Sequence, residues 1–127
     1  MTRVADYVLS NYDGRVVEVG VGKNHGTAEE LRKTPNIDVT TVDVDGSADP
    51  DVVDDILKPE IEIYRGASLV YSIRPPPELH SALHEVADAV DADLLIVPLG
   101  NEPTPIEHRL VNHEGRTVYL SETDRDR

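Results

Sequence analysis

Arg15-Val16-Val17-Glu18-Val19-Gly20-Val21-Gly22-Lys23-Asn24-His25-Gly26 reads as a buried strand running into a glycine-rich turn and then the start of a helix. Val16, Val17, Val19 and Val21 are β-branched and apolar, as expected of a strand covered on both faces of a parallel sheet. Gly20 and Gly22 permit a tight turn and put no Cβ between the backbone and an approaching ligand. Thr27 and Glu30 have capping-box spacing, which predicts a helix from about residue 27 with its free N–H groups pointing into the loop. Strand, loop and helix start together form a cradle for a nucleotide-like cofactor. The glycine spacing is G-x-G-x-x-x-G, so His25 occupies the third glycine of the dinucleotide fingerprint.

Upstream, Val4, Ala5, Val8, Leu9 and Tyr12 lie at helical spacing, which predicts a short amphipathic helix over 3–12 ended by Asp13-Gly14. Downstream, Thr34-Pro35-Asn36 stops the helix near 27–33, and Val39 to Val44 forms a second strand. Residues 45–50 are a loop by composition. A third strand is either very short at 51–54, shifted to 60–64, or absent. Ala67-Ser68-Leu69-Val70-Tyr71-Ser72-Ile73 is a buried strand that Arg74-Pro75-Pro76-Pro77 turns into a helix over about 78–91. In that helix Leu79, Leu83, Val86 and Val90 share one face, and His80, His84, Asp88 and Asp91 another. The i,i+4 histidines have metal-ligand spacing but no third ligand, so they read as surface residues. Leu94 to Val97 is a further buried strand. Residues 108–111 and 117–120 flank a turn and form a hairpin, and 121–127 is a polar, frayed tail.

A chain of 127 residues accommodates one domain with one modest core. No run is long and apolar enough for a membrane span, and the N-terminus lacks a signal-peptide pattern, so a cytoplasmic location is expected. The absence of cysteine excludes disulfides and thiolate chemistry. There is no Trp or Phe, which leaves five tyrosines and little stacking surface for single-stranded nucleic acid. Twenty-five acidic residues against 12 basic ones give a net charge of −13, which repels a free polyanion at low salt. Nine of the 12 basic residues are Arg. An Asp-rich, Lys-poor surface suits a protein working in concentrated salt, where self-repulsion is screened.

Alternating strands and helices predict an α/β fold with a mostly parallel sheet and a C-terminal antiparallel hairpin. Four loops should gather beyond the carboxyl ends of its strands: Gly20–Gly26, Asp43–Gly46, Asp54–Ile56 and Ser72–Pro77. Asp43, 23 residues past Gly20, can accept both hydroxyls of a ribose. Asp54 or Asp55 can pair with an adenine amino group while Ile56 covers the ring. Arg74 lies just past a buried strand, where its guanidinium can face a carboxylate or phosphate.

Val16 to Gly22, with its acid before G-x-G, resembles the first motif of class I S-adenosylmethionine-dependent methyltransferases. Thr41-Val42-Asp43-Val44 and Val53-Asp54-Asp55-Ile56 are similar to that group's ribose-side and adenine-side acids. The short length and Ser72-Ile73-Arg74-Pro75-Pro76 resemble uncharacterised protein family 0146, an archaeal group with a reduced fold of this kind. The resemblance implies a three-layer Rossmann-like sheet and S-adenosylmethionine as cofactor. Glu18, Gly20, Gly22, Asp43, Asp55 and Ile56 would hold the cofactor, with Ser72 and Arg74 on the substrate side. The chain departs from the methyltransferase pattern in a link of only about eight residues from the second strand to the presumed third, too short for a crossover helix, in lacking the insertions that build a substrate lid, and at three motif positions. Asn24 stands at the third glycine, Arg74 at the acid or amide of an Asn/Asp-Pro-Pro-Tyr motif, and Pro77 at its tyrosine. The catalytic role of that motif therefore does not carry over.

The leading expectation is a small S-adenosylmethionine-binding, methyltransferase-like domain with a nucleoside-like ligand. A non-catalytic ligand-binding or interaction domain, with a protein partner or a second copy of the chain, is the alternative. A nicotinamide-cofactor enzyme ranks third, because it would use the same glycines without a hydride-transfer acid–base set. One prediction follows from charge alone. Melting temperature should rise with potassium chloride into the molar range, because screening relieves self-repulsion in the folded state. A flat or falling curve would show that the acidity is not salt adaptation.

Overall fold

The computed structural model describes residues 3–100, 102–113 and 115–123. Seven strands form one sheet in the order β3-β2-β1-β4-β5-β7-β6. β1 (Gly14–Val19), β2 (Ile37–Asp43), β3 (Val52–Val53), β4 (Ala67–Ile73) and β5 (Asp93–Val97) run parallel. β6 (Arg109–His113) and β7 (Arg116–Ser121) form the antiparallel hairpin, with β7 lying against β5. α1 (Arg3–Asn11) and α2 (Gly26–Arg32) cover one face, and α3 (His80–Ala89) covers the other. The three layers are those the alternation of strands and helices predicts.

Alternation along the central strands divides the core in two. Val16, Leu69, Tyr71 and Leu95 pack with Ala5, Val8, Ala28 and Leu31 beneath α1 and α2. Val17, Val19, Val70, Leu94 and Ile96 pack with Leu83, Val86 and Ala87 beneath α3. Buried Asp93 ties distant segments to β5: Tyr12 Oη donates to its Oδ2 at 2.7 Å and the Thr123 N–H to its Oδ1 at 2.9 Å. The segment read as a frayed tail thus begins with Ser121 in β7 and Thr123 anchored to β5. Residues 124–127 lie outside the described residues.

The fold is reduced at its crossovers. β2 reaches β3 through residues 44–51, whose only helical piece is a 3₁₀ turn at Gly46–Ala48, followed by left-handed Asp49 at φ 58°. Such a link is too short for an α-helix, and it leaves β3 two residues long. Residues 60–64 are not the third strand, because Ile61–Ile63 form another 3₁₀ turn. Thr41 and Asp51 hold the short link closed. The Thr41 N–H donates to Asp51 Oδ2 and the Asp51 N–H to Thr41 Oγ1, both at 2.9 Å, and Arg32 pairs with the same carboxylate.

Two local expectations need correction. α2 begins at Gly26 with His25 at its N-cap, so Thr27 lies inside the first turn and does not cap it. Asn24 satisfies the helix end instead, its Oδ1 accepting the Gly26 N–H at 3.1 Å. His80 is not a surface residue; it is fully buried. It shares a stripe with Leu83, Val86 and Ala87, and the segment after β5 folds over it. Thr104 Oγ1 lies 2.8 Å from its Nδ1. Helical periodicity cannot reveal a cover supplied by a residue 24 positions away.

Candidate functional site

The carboxyl end of β1 is held down on the end of β2. Gly20 and Gly22 adopt left-handed conformations, φ 73° and 59°, that favour glycine. This turn sends the Gly20 and Val21 N–H groups to the Val42 carbonyl at 2.8 and 3.2 Å. The Gly22 N–H donates to Asp43 Oδ2 at 2.8 Å, and Asp43 Oδ1 accepts the Asp45 N–H at 2.9 Å. His25 Nε2 lies 2.8 Å from the Ala48 carbonyl and joins the next turn to the same assembly. A Cβ built on Gly22 would meet nothing within 4 Å. The backbone there is open to a ligand.

Glu18 lies directly below this loop. It is 2 % exposed and stands opposite Tyr71 of β4, whose hydroxyl donates to Glu18 Oε1 at 2.8 Å. Burial raises its pKa to about 7, against the opposing pull of the Tyr71 hydrogen bond and the charges of His25 and Arg32. Burial and the neighbouring carboxylate push the Tyr71 phenol up as well, so it remains a donor. A buried carboxylate of this kind has a strong affinity for a cation that can reach it.

A cleft of about 540 Å³ opens from Glu18 and Gly20 to Asn24, Thr27, Arg74 and Arg116. It lies beside the ends of β1 and β4, where strand order reverses, and its volume is in the usual range for a small-molecule site. The structure therefore brings Glu18, Gly20 and Arg74 together at one cleft. Gly22 and Asp43 belong to the adjoining latch. Asp54 spends its carboxylate on the Tyr64 hydroxyl at 2.6 Å and the Glu60 N–H at 3.2 Å. Asp55 accepts the Leu57 N–H through Oδ1 at 2.9 Å, and its Oδ2 has no hydrogen bond among the described residues. Ile56 is buried and lines a separate cleft of about 390 Å³ against α3, with Leu57, Ser81 and Val86.

Ser72 is placed differently from the sequence expectation. It is 3 % exposed, and its hydroxyl donates to the Val19 carbonyl at 2.8 Å, so it fastens β4 to β1 instead of facing substrate. Sequence reasoning missed Tyr71 and Arg116. Tyr71 looks like any apolar strand residue until cross-strand register sets it against Glu18. Arg116 sits at a hairpin turn with no motif around it, and only β7's place beside β5 carries it to the cleft. Among the described residues no group of three or more His, Cys, Asp or Glu side chains could hold a metal ion.

Strand order, glycine turn and switch-point cleft define a Rossmann-like fold of the class I methyltransferase type. Solved structures share it. The methyltransferase domain of bacterial CtHen1 superimposes with a TM-score of 0.66 at 12% identity, covering 95% of each chain. The antibiotic-resistance methyltransferase Kmr gives 0.62 at 15%, covering 98% of this chain and 94% of its own. At such identities the likeness establishes the fold. The chain belongs to the Uncharacterised protein family UPF0146, whose family model matches residues 1–123. Its relative from Archaeoglobus fulgidus is 46% identical over 124 residues, 94% of this chain and 93% of that protein. One from Methanothermobacter thermautotrophicus is 49% identical over 107 residues, 83% of this chain and 80% of that protein.

Glu18 makes a testable demand on stability. Its pKa in the folded protein is about 7, above the ordinary value of 4.5, so the folded state keeps this proton longer than the unfolded chain. Its contribution to stability therefore falls as pH rises from 4.5 through about 7 and is most unfavourable above that. Glu18→Gln keeps an acceptor for Tyr71 and removes the charge. Denaturant unfolding in concentrated salt should find the variant close to parent near pH 4.5 and more stable by about 1–3 kcal/mol at pH 8.5. A difference that does not change with pH would refute the buried charge.

Proposed function

We propose that this protein binds S-adenosylmethionine in the switch-point cleft as a small methyltransferase-like domain of the cytoplasm. The observation that carries this reading is buried Glu18 sharing a cleft with the left-handed glycine turn that follows it, with no Lys or Arg ion-paired to it among the described residues. The ligand's ammonium group supplies the missing positive charge. Gly20 and Gly22 let its methionine portion approach the backbone. Each Asp43 oxygen accepts one N–H and keeps a lone pair for a ribose hydroxyl. Asp55 Oδ2 takes the adenine amino group, which carries the ring out of the switch-point cleft to the separate one that Ile56 lines. The methyltransferase neighbours support the fold in which such a ligand sits. Methyl transfer needs mainly alignment of donor and acceptor, which an open cleft can provide without an acid–base set.

One observation favours the alternative of a non-catalytic interaction domain. Beside edge strand β3, Val44, Val53 and Leu57 are 66%, 58% and 62% exposed, an apolar group suited to a partner.

Calorimetric titration with S-adenosylmethionine, S-adenosylhomocysteine, NAD and ATP separates these readings. Binding of the two S-adenosyl ligands alone is expected. Asp43→Ala should weaken them roughly ten- to a hundredfold, by loss of charged hydrogen bonds. Gly22→Val should abolish binding, since its side chain fills the approach, at about 1–2 kcal/mol of backbone strain. Circular dichroism checks that both variants fold. Silence from all four ligands would favour the interaction domain, and unchanged binding in both folded variants would put the ligand elsewhere.

A further inference from the structure

The rim of the cleft is basic in an acidic protein. Arg74 and Arg116 both line it, and neither makes an ion pair or side-chain hydrogen bond among the described residues. Other arginines are engaged: Arg32 with Asp51, Arg65 with Glu62, Arg109 with Glu122, and Arg15 with the Ile63 and Arg65 carbonyls. With 25 acidic residues in the chain, two unpaired guanidiniums at one cleft are conspicuous.

Both are held by backbone. Arg74 is left-handed at φ 58°, a strained conformation for a residue other than glycine, and its N–H donates to the Val97 carbonyl at 2.7 Å. Pro75 to Pro77 then fix the path of the chain. Arg116 opens β7, whose later residues Tyr119, Leu120 and Ser121 pair with β5, so the hairpin brings its side chain to the same opening. One guanidinium comes from the parallel half of the sheet and the other from the antiparallel half.

We propose that Arg74 and Arg116 together bind an oxoanion, a carboxylate or phosphate, carried by the methyl acceptor, which makes the acceptor a small acidic molecule. The inference rests on the cofactor reading, in which buried Glu18 takes the cationic part of the donor and the basic rim is left for the second ligand. Guanidinium groups match planar or tetrahedral oxoanions through paired N–H donors. At low salt the net charge of −13 disfavours a long polyanion far more than a single oxoanion, and two guanidiniums at one cleft match the smaller ligand.

The test uses inorganic phosphate as probe, followed by amide chemical shifts and calorimetry, with and without saturating S-adenosylhomocysteine. Arg74→Asn suits the left-handed backbone while removing the charge, Arg116→Gln removes the other, and Arg74→Lys keeps charge without the fork. Phosphate should bind the parent and its S-adenosylhomocysteine complex alike, and each neutral variant should weaken it roughly tenfold. Arg74→Lys should recover part of the loss. If S-adenosylhomocysteine displaces phosphate, and both neutral variants weaken it but not methylthioadenosine, the anion is the donor's own carboxylate and the acceptor assignment falls. Equal phosphate affinity in parent and folded neutral variants would remove the oxoanion site altogether. Phosphate binding that needs both arginines in a parent that ignores S-adenosylhomocysteine would uphold the anion site and overturn the cofactor reading.

Discussion

The site depends on the latch between the ends of β1 and β2. Three consecutive N–H groups, of Gly20, Val21 and Gly22, turn toward β2 and find the Val42 carbonyl and the Asp43 carboxylate. They do so because Gly20 and Gly22 are left-handed, a conformation that costs a residue with a Cβ about 1–2 kcal/mol. The turn follows directly on buried Glu18, and its Gly22 N–H fixes Asp43 beside the open face of Gly22. One buried carboxylate, Glu18, precedes the turn, and one oriented carboxylate, Asp43, accepts from it.

The wider architecture preserves this arrangement while shedding much else. The crossover from β2 to β3 is reduced to a 3₁₀ turn and an Asp51–Thr41 clasp, and that from β3 to β4 to the 3₁₀ turn at Ile61–Ile63. Of the strands that position the cleft, β1 and β2 pair in register from Gly14 opposite Ile37 to Val19 opposite Val42. β1 and β4 pair from Val16 opposite Leu69 to Glu18 opposite Tyr71, beyond a register shift at Arg15, and the central valines and leucines of these strands are buried. Charge is distributed in the same spirit. The surface carries the acidic excess, while the cleft has a buried acidic end at Glu18 and a basic rim at Arg74 and Arg116.

Much of this could be read from residues alone, for a physical reason. Runs such as Val16–Val21 and Leu69–Ile73 are mostly apolar and rich in β-branched residues, and such runs have few stable fates besides a buried strand. The glycine turn and Asp43 at the end of β2 were readable because each is a local demand of backbone and charge. What failed depended on distant segments. Capping-box spacing at Thr27 was overruled by Asn24 and His25, which answer to the loop's descent onto β2 and the Ala48 carbonyl. His80 lies under Thr104, and Ser72 is spent on β1. Tyr71 and Arg116 gain their meaning only from cross-strand register.

The central claim is that Glu18, the glycine turn and Asp43 form one ligand site at the reversal of strand order. Amide chemical-shift mapping with S-adenosylhomocysteine, in concentrated potassium chloride, tests it most directly. The account predicts saturable shifts concentrated at Gly20–Gly26, Asp43–Ser47 and the Arg74 turn, with the far ends of β1 and β4 unmoved. Saturable shifts confined to the β6–β7 hairpin or the outer face of α3, or no saturable shift at all, would contradict it.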